Sequence, residues 1–389
     1  MTTLIESFTP HFDQALIDIS IDKLRKTRYP EAETVEDWSQ GLPLAYAQEL
    51  VRYWQDEYDW TRVPRLLRSY DNHLTNIDGI DIHLLHIRSK HTKAIPLLLT
   101  HGWPGSVLEF LDIIPRLVDP TNWGGSVAEA FHLVIPSLPG FGFSGKPTCT
   151  GTTTQRIAEM WDELMQRVGY NTYLAQGGDW GSVITHALLT NPETNCLAGH
   201  VNLPLVMPDD IAINSKDPEE QNTLLRAMAY QEHESGYSKQ QSTRPQTLAY
   251  GLADSPVGQL AWIIEKYAQW TDCEVHGIKH PENTVSRDQL LDIVTHFWMT
   301  NTAGSSGRLY WESFDDPDTT PVTKPIGVSQ FPKEIFQCSE RLAKTRYKNL
   351  VFFSTDHAKG GHFASLEQPE ELIKDVRSWV KALRSHQIL

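Results

Sequence analysis

Three short stretches hold residues whose types and spacing could do chemistry together. GGDWGS (177–182) sets Asp179 among small residues, after the apolar run YLAQ (173–176) and before an apolar helical stretch. A tight strand-to-helix turn needs such neighbours, because its backbone leaves no room for Cβ atoms, and an elbow of this kind presents a nucleophile. A carboxylate there can attack an electrophilic carbon and form an ester, whose carbonyl water can then cleave. Asp179 also has an ordinary reading, as the cap of the following helix. HGWPGS (101–106) follows the apolar run AIPLLLT (94–100). The amides of Trp103 and Trp180 would then form an oxyanion hole, while a plain Pro104-Gly105 turn is the alternative. GGHFASLE (360–367) places His362 on a loop before the last helical stretch, where an imidazole could activate water. Each stretch alone has a bland explanation. In this order they fit one site.

The elements that must position them follow from hydrophobic patterning. AIPLLLT (94–100), FHLVIPS (131–137), YLAQ (173–176) and AGHVNL (198–203) are short apolar runs, with helical stretches such as TQRIAEMWDELMQRV (154–168) between some of them. Such alternation predicts an α/β fold, a mostly parallel sheet with helices on both faces. From about residue 206 the rhythm stops, and some hundred residues are polar and helix-like. It resumes with PIGVSQF (325–331) and NLVFFST (349–355), before a closing helix in PEELIKDVRSWVKAL (369–383). This pattern predicts a mainly helical insertion placed where a lid would sit. Ahead of the sheet, residues 42–58 predict an amphipathic helix, and NIDGIDIHLLHI (76–87) a hairpin turning at Asp78-Gly79. The expected division is an N-terminal segment 1–90, a core in two parts, 91–205 and 320–389, and a lid 206–319.

Composition excludes several classes of function. With 49 acidic against 34 basic residues, the net charge of −15 argues against nucleic acid and against an anionic membrane surface. Four scattered cysteines without a C-x-x-C pair favour a reducing compartment. There is no signal-peptide pattern and no apolar run near the ~18 residues of a membrane span, so a cytoplasmic location is expected. His276 and His280 in HGIKH have the spacing of a helical metal pair, but Gly277 weakens the helix and no third ligand accompanies them. GFGFSG (140–145) lacks the context of a dinucleotide fingerprint. Neither metal nor cofactor is expected.

Nearly the whole chain resembles the epoxide hydrolases of the α/β-hydrolase fold, in their microsomal-type branch. HGWPGS, GGDWGS and GGHFA carry the likeness, with IPSLPGFGFSG (135–145) and TRPQTLAYGLADSPVGQLAWIIEKYAQW (243–270). YWQDEYDW (53–60) and IDGIDIHLLHI match that branch's N-terminal meander, which wraps core and lid. The membrane-anchoring helix of the animal enzymes has no counterpart here, so the likeness is to the soluble microbial members. The resemblance implies that Asp179 opens an epoxide and that His362 activates water against the resulting ester. It implies two lid acids, Tyr237 in HESGYSKQQSTRP and Tyr310 in SSGRLYWES, with Tyr230 and Tyr250 as nearby bystanders. It selects Glu334, in QFPKEIF (330–336), as the acid supporting His362, over Asp356, which stands only six residues before the histidine. Substrate and co-substrate would be an epoxide and water, and the soluble relatives imply a possible homodimer. A dehalogenase would share Asp179 and could hold halide on the Trp180 indole, yet it would have no use for Tyr237 and Tyr310. A non-catalytic scaffold is the third reading.

Overall fold

A computed structural model describes residues 4–314 and 318–389. Nine strands form one sheet: β1 (Ile5–Ser7), β2 (Asn72–Ile77), β3 (Ile80–Ile87), β4 (Ile95–Thr100), β5 (Phe131–Pro136), β6 (Tyr173–Gly177), β7 (Cys196–Val201), β8 (Ile326–Ser329) and β9 (Leu350–Ser354). Their spatial order is β1-β2-β3-β5-β4-β6-β7-β8-β9. From β5 onward every pairing is parallel, and β1, β2 and β3 add an antiparallel flank. The apolar runs are explained by burial on both faces: Leu97, Leu98, Leu133, Val134 and Leu174 are inaccessible. Asp78 and Gly79 both take positive φ, 54° and 81°, the two-residue turn that matches strand twist.

Between β7 and β8 the described chain is mainly helical, including Pro218–Ala229, Gly236–Thr243, Pro256–Trp270, Arg287–Thr300 and Ala303–Ser313. One piece departs from the polar, helix-like reading. Glu274–Val275 and Ile278–Lys279 pair as a small hairpin, with His276 (φ 52°) and Gly277 (φ 78°) at its turn. His276 and His280 therefore share no helix face, and the His280 ring stacks edge-on against Tyr46. Among the described residues no group of His, Cys, Asp or Glu side chains is arranged to hold a metal, and no helix is long and apolar enough to cross a membrane.

The N-terminal segment is tied to the helical insertion. From helix Leu44–Asp56, fully buried Trp54 donates its indole N–H to Thr295 Oγ1 at 2.9 Å. Tyr58 and Arg62 both reach Asp292, at 2.8 and 2.9 Å. Burial pushes the Asp292 carboxyl up to about 6, against the opposing pull of Tyr58 and Arg62. Thr295 and Asp292 lie on Arg287–Thr300, which leads directly into the helix carrying Tyr310. Losing a buried tryptophan costs about 3–5 kcal/mol. A segment rooted this way holds helix Arg287–Thr300 in place rather than decorating it.

Candidate active site

β6 ends at Gly177, and two residues later Asp179 takes φ 51° and ψ −128°. A non-glycine residue held there costs about 1–3 kcal/mol, so its surroundings must enforce the conformation. Glycines let them close in. A Cβ on Gly177 would strike the Gly181 backbone, one on Gly181 the Thr100 carbonyl, and one on Gly102 the Asp179 side chain. The Asp179 carboxylate makes no cap hydrogen bond to helix Trp180–Thr190, so the capping alternative fails. Its two oxygens are divided: the Trp103 amide donates to Oδ1 at 2.7 Å, and His362 Nε2 lies 3.1 Å from Oδ2. Trp180 begins the helix, where backbone N–H groups lack an intrahelical acceptor.

His362 Nδ1 lies 2.6 Å from Glu334 Oε1, and both side chains are buried. A single parallel bridge between Lys333 and Gly361 creates the encounter, since it aligns the residues just before each of them. Asp356 is exposed and shares no hydrogen bond with the ring. Burial alone would lower the pKa of His362, but the Glu334 and Asp179 carboxylates overcome it and hold the imidazole well above its usual value. The helical insertion reaches this loop directly. His362 donates its amide to Trp270 O at 2.9 Å, Gly360 donates to Asp272 Oδ2 at 3.1 Å, and Asp272 donates to Glu367 Oε2 at 2.7 Å. From the other side, Asp375 on the closing helix Pro369–Ser385 accepts from Ser329 at 2.6 Å and pairs with His357 at 2.9 Å. The loop is thus pinned by lid, sheet and closing helix.

Tyr237 and Tyr310 face this carboxylate across an aromatic enclosure. The Tyr237 ring stacks on Trp103 (centroids 5.0 Å apart, planes 8° apart), and Tyr310 meets Trp180 edge-on at 4.8 Å. The two tyrosine rings lie 5.7 Å apart at 80°. Burial, reinforced by nearby Asp179, raises both phenols well above their usual value, so each keeps its proton at neutral pH. Tyr250 is 73% exposed and plays no part. Tyr230, read from the sequence as a bystander, is buried, with its hydroxyl 3.2 Å from that of Tyr237 and 3.2 Å from Ser238 Oγ. No motif flagged it, because its approach depends on how the widened helical turn Tyr230–Glu234 folds back. Glu109, in the stretch SVLEF, is a further buried acid that no motif marks.

A carboxylate with one oxygen on an amide and one on an imidazole, faced by protonated phenols, can attack carbon, release a protonated oxygen and then be freed by water. Known proteins resemble this chain in sequence and fold. The profile of the family described as "Epoxide hydrolase N terminus" matches residues 5–110, and that of "alpha/beta hydrolase fold" matches residues 95–273. A Stigmatella aurantiaca protein, provisionally named an epoxide hydrolase, is 48% identical over 372 residues, covering 95% of this chain and 83% of the relative. The crystal structure of juvenile hormone epoxide hydrolase from Bombyx mori superposes with a TM-score of 0.90 at 31% identity, covering 99% of this chain and 96% of that one. Aspergillus niger epoxide hydrolase gives 0.86 at 31% identity, covering 97% and 96%.

Proposed function

The chain belongs to the epoxide hydrolase family, and from that premise we propose that it converts epoxides to vicinal diols through a covalent ester on Asp179. In the first step Asp179 Oδ2 bonds to an epoxide carbon, the ring C–O bond breaks, and the departing oxygen takes a proton from Tyr237 or Tyr310. Oδ1 becomes the ester carbonyl oxygen. In the second step a water oxygen bonds to Cγ while His362 Nε2 takes its proton. The charge on Oδ1 is held by the amides of Trp103 and Trp180. Collapse breaks the bond from Cγ to the alkyl oxygen, which leaves with the proton from His362. The remaining carboxyl proton returns to the phenolate, and epoxide plus water has become diol.

The observation that carries this reading is the division of the Asp179 oxygens between the Trp103 amide at 2.7 Å and His362 at 3.1 Å. On this reading the amide supports the oxygen that stays, and the imidazole stands where water is to be activated. Release of halide needs no acid and would leave Tyr237 and Tyr310 idle. Walls built from Trp103, Trp180, Trp270, Tyr237, Tyr310 and Phe314 suit an epoxide with an aromatic or bulky apolar substituent. The test is incubation of the purified protein, without added metal or cofactor, with racemic styrene oxide, followed by chiral chromatography. Diol should appear with unequal consumption of the two enantiomers. If neither styrene oxide nor a panel of aryl and alkyl epoxides is converted, the reading fails.

The acid role predicts that Tyr237→Phe and Tyr310→Phe each slow alkylation by about 10- to 100-fold. That is the low end for a general acid, because the other phenol remains. Because both phenols titrate well above 10, the wild-type alkylation rate should not fall between pH 8 and pH 10 through their ionisation. Single-turnover tryptophan fluorescence reads the step, since Trp103 and Trp180 line the site. Full rates in both variants would place the donors elsewhere.

A further inference from the structure

Beside Asp179 and His362 lies a small cavity of ≈ 10 Å³, lined among others by Glu109, Gln176, Asp179, Asn202, His362 and Phe363, with neither Tyr237 nor Tyr310 in its lining. That volume is at the lower bound of the room one water molecule needs. Its polar lining has a hydrogen-bonding surplus. Gln176 donates its N–H to Asn202 Oδ1 at 3.2 Å, while its buried Oε1 accepts from no partner among the described residues. Glu109 is 8% exposed, and among the described residues its carboxyl takes no side-chain hydrogen bond, with only the Ser106 amide approaching it. Its place is made by the backbone: a Cβ on Gly105 would strike Glu109 Oε2, just as one on Gly102 would strike Asp179. The two glycines of HGWPGS thus make room for two different carboxyl groups.

Resting on the ester mechanism above, we propose that this cavity holds the hydrolytic water and that Glu109 is the positioning residue that orients it. A water poised for attack must donate its protons to acceptors and turn a lone pair toward Asp179 Cγ. His362 Nε2 accepts the proton that is transferred. The second needs a neutral acceptor nearby, which a Glu109 carboxyl oxygen or Gln176 Oε1 supplies. Burial, with Asp179 close by, pushes the Glu109 carboxyl up to about 8, so at neutral pH it adds no further negative charge beside Asp179 and Glu334. A neutral carboxyl can orient water while leaving His362 as the base.

The variants Glu109→Gln and Glu109→Met separate orientation from packing, since glutamine keeps an acceptor and methionine fills the space without one. Styrene oxide is mixed with excess enzyme, and quenched samples are followed by intact-protein mass as the alkyl-enzyme forms and decays. The methionine variant should alkylate within about 3-fold of wild type yet hydrolyse the adduct about 10- to 100-fold more slowly, and the glutamine variant should restore most of that loss. Adduct decay at the wild-type rate in the methionine variant would overturn the assignment. So would an equal fall of both steps in both variants. Failure of the underlying mechanism looks different, because no adduct would then form on the wild-type protein or on His362→Gln.

Discussion

Asp179→Ala is expected to lower diol formation by at least about 10⁴-fold and to leave no substrate-derived mass on the protein. Alanine removes the carboxylate proposed to bond to the epoxide carbon while leaving the Trp103 amide, His362 and the tyrosines in place. Those residual groups can bind an epoxide and polarise its oxygen, but they cannot make an ester. The positive φ of Asp179 strains alanine as it strains aspartate, so the fold should survive and circular dichroism should match wild type. A competing mechanism has Asp179 and His362 jointly activating water for direct attack on the epoxide, and the 3.1 Å contact between them permits it. Isotope placement decides. With enzyme in excess over styrene oxide in ¹⁸O-water, the ester route puts label into Asp179 and leaves the first-turnover diol unlabelled. Label appearing directly in that diol, or diol formation by the alanine variant above a percent of wild type, would remove Asp179 as nucleophile.

What could be read before folding was whatever close packing forces onto the sequence. Gly102, Gly177 and Gly181 stand where backbones or the Asp179 side chain approach too closely for a Cβ, so the elbow is visible as a pattern. The apolar runs of β4 to β7 are visible because strands covered on both faces are built mostly from apolar residues. Contacts between distant segments leave weaker traces. β1 is three residues long and only partly buried, and it exists because β2 offers it an edge. The hairpin at Glu274–Lys279 resembles helix in its polar residues and its histidine spacing, and only the backbone at His276 and Gly277 distinguishes it. Glu334 meets His362 through the Lys333–Gly361 bridge, which joins two loops and follows from neither alone; family likeness, not residue chemistry, had pointed to it. Tyr230 and Glu109 became visible only with burial. An acid or phenol in a helical stretch is usually solvated, and nothing local says that the chain will close over it.

His362→Gln should separate the two halves of the reaction, slowing ester hydrolysis by at least about 10³-fold while the alkyl-enzyme accumulates toward one substrate mass per chain. Glutamine is the informative replacement because its N–H can still donate to Glu334. Alanine would strand a fully buried carboxylate, and breaking a buried pair costs about 3–5 kcal/mol. The expectation rests on how charge changes during turnover. In the resting site two carboxylates outweigh burial and hold the imidazole well above its usual pKa, so it is protonated at neutral pH and donates to Asp179 Oδ2. In the proposed mechanism alkylation turns Asp179 into a neutral ester and removes one of those two carboxylates. The imidazole pKa then falls, the ring releases its proton to solvent and becomes a base when water must be activated, and it takes a proton back from solvent once Asp179 is a carboxylate again. Hydrolysis should therefore rise with pH through an ionisation lying below that of the resting histidine, and the rise should vanish in the glutamine variant. Glu334→Gln, which loses the 2.6 Å contact and its charge, should slow hydrolysis by about 10²-fold or more, whereas Asp356→Asn should leave both steps unchanged. Inactive Asp356→Asn beside active Glu334→Gln would reverse the relay assignment. A His362→Gln protein that loses turnover without gaining mass would place the histidine before the ester rather than after it.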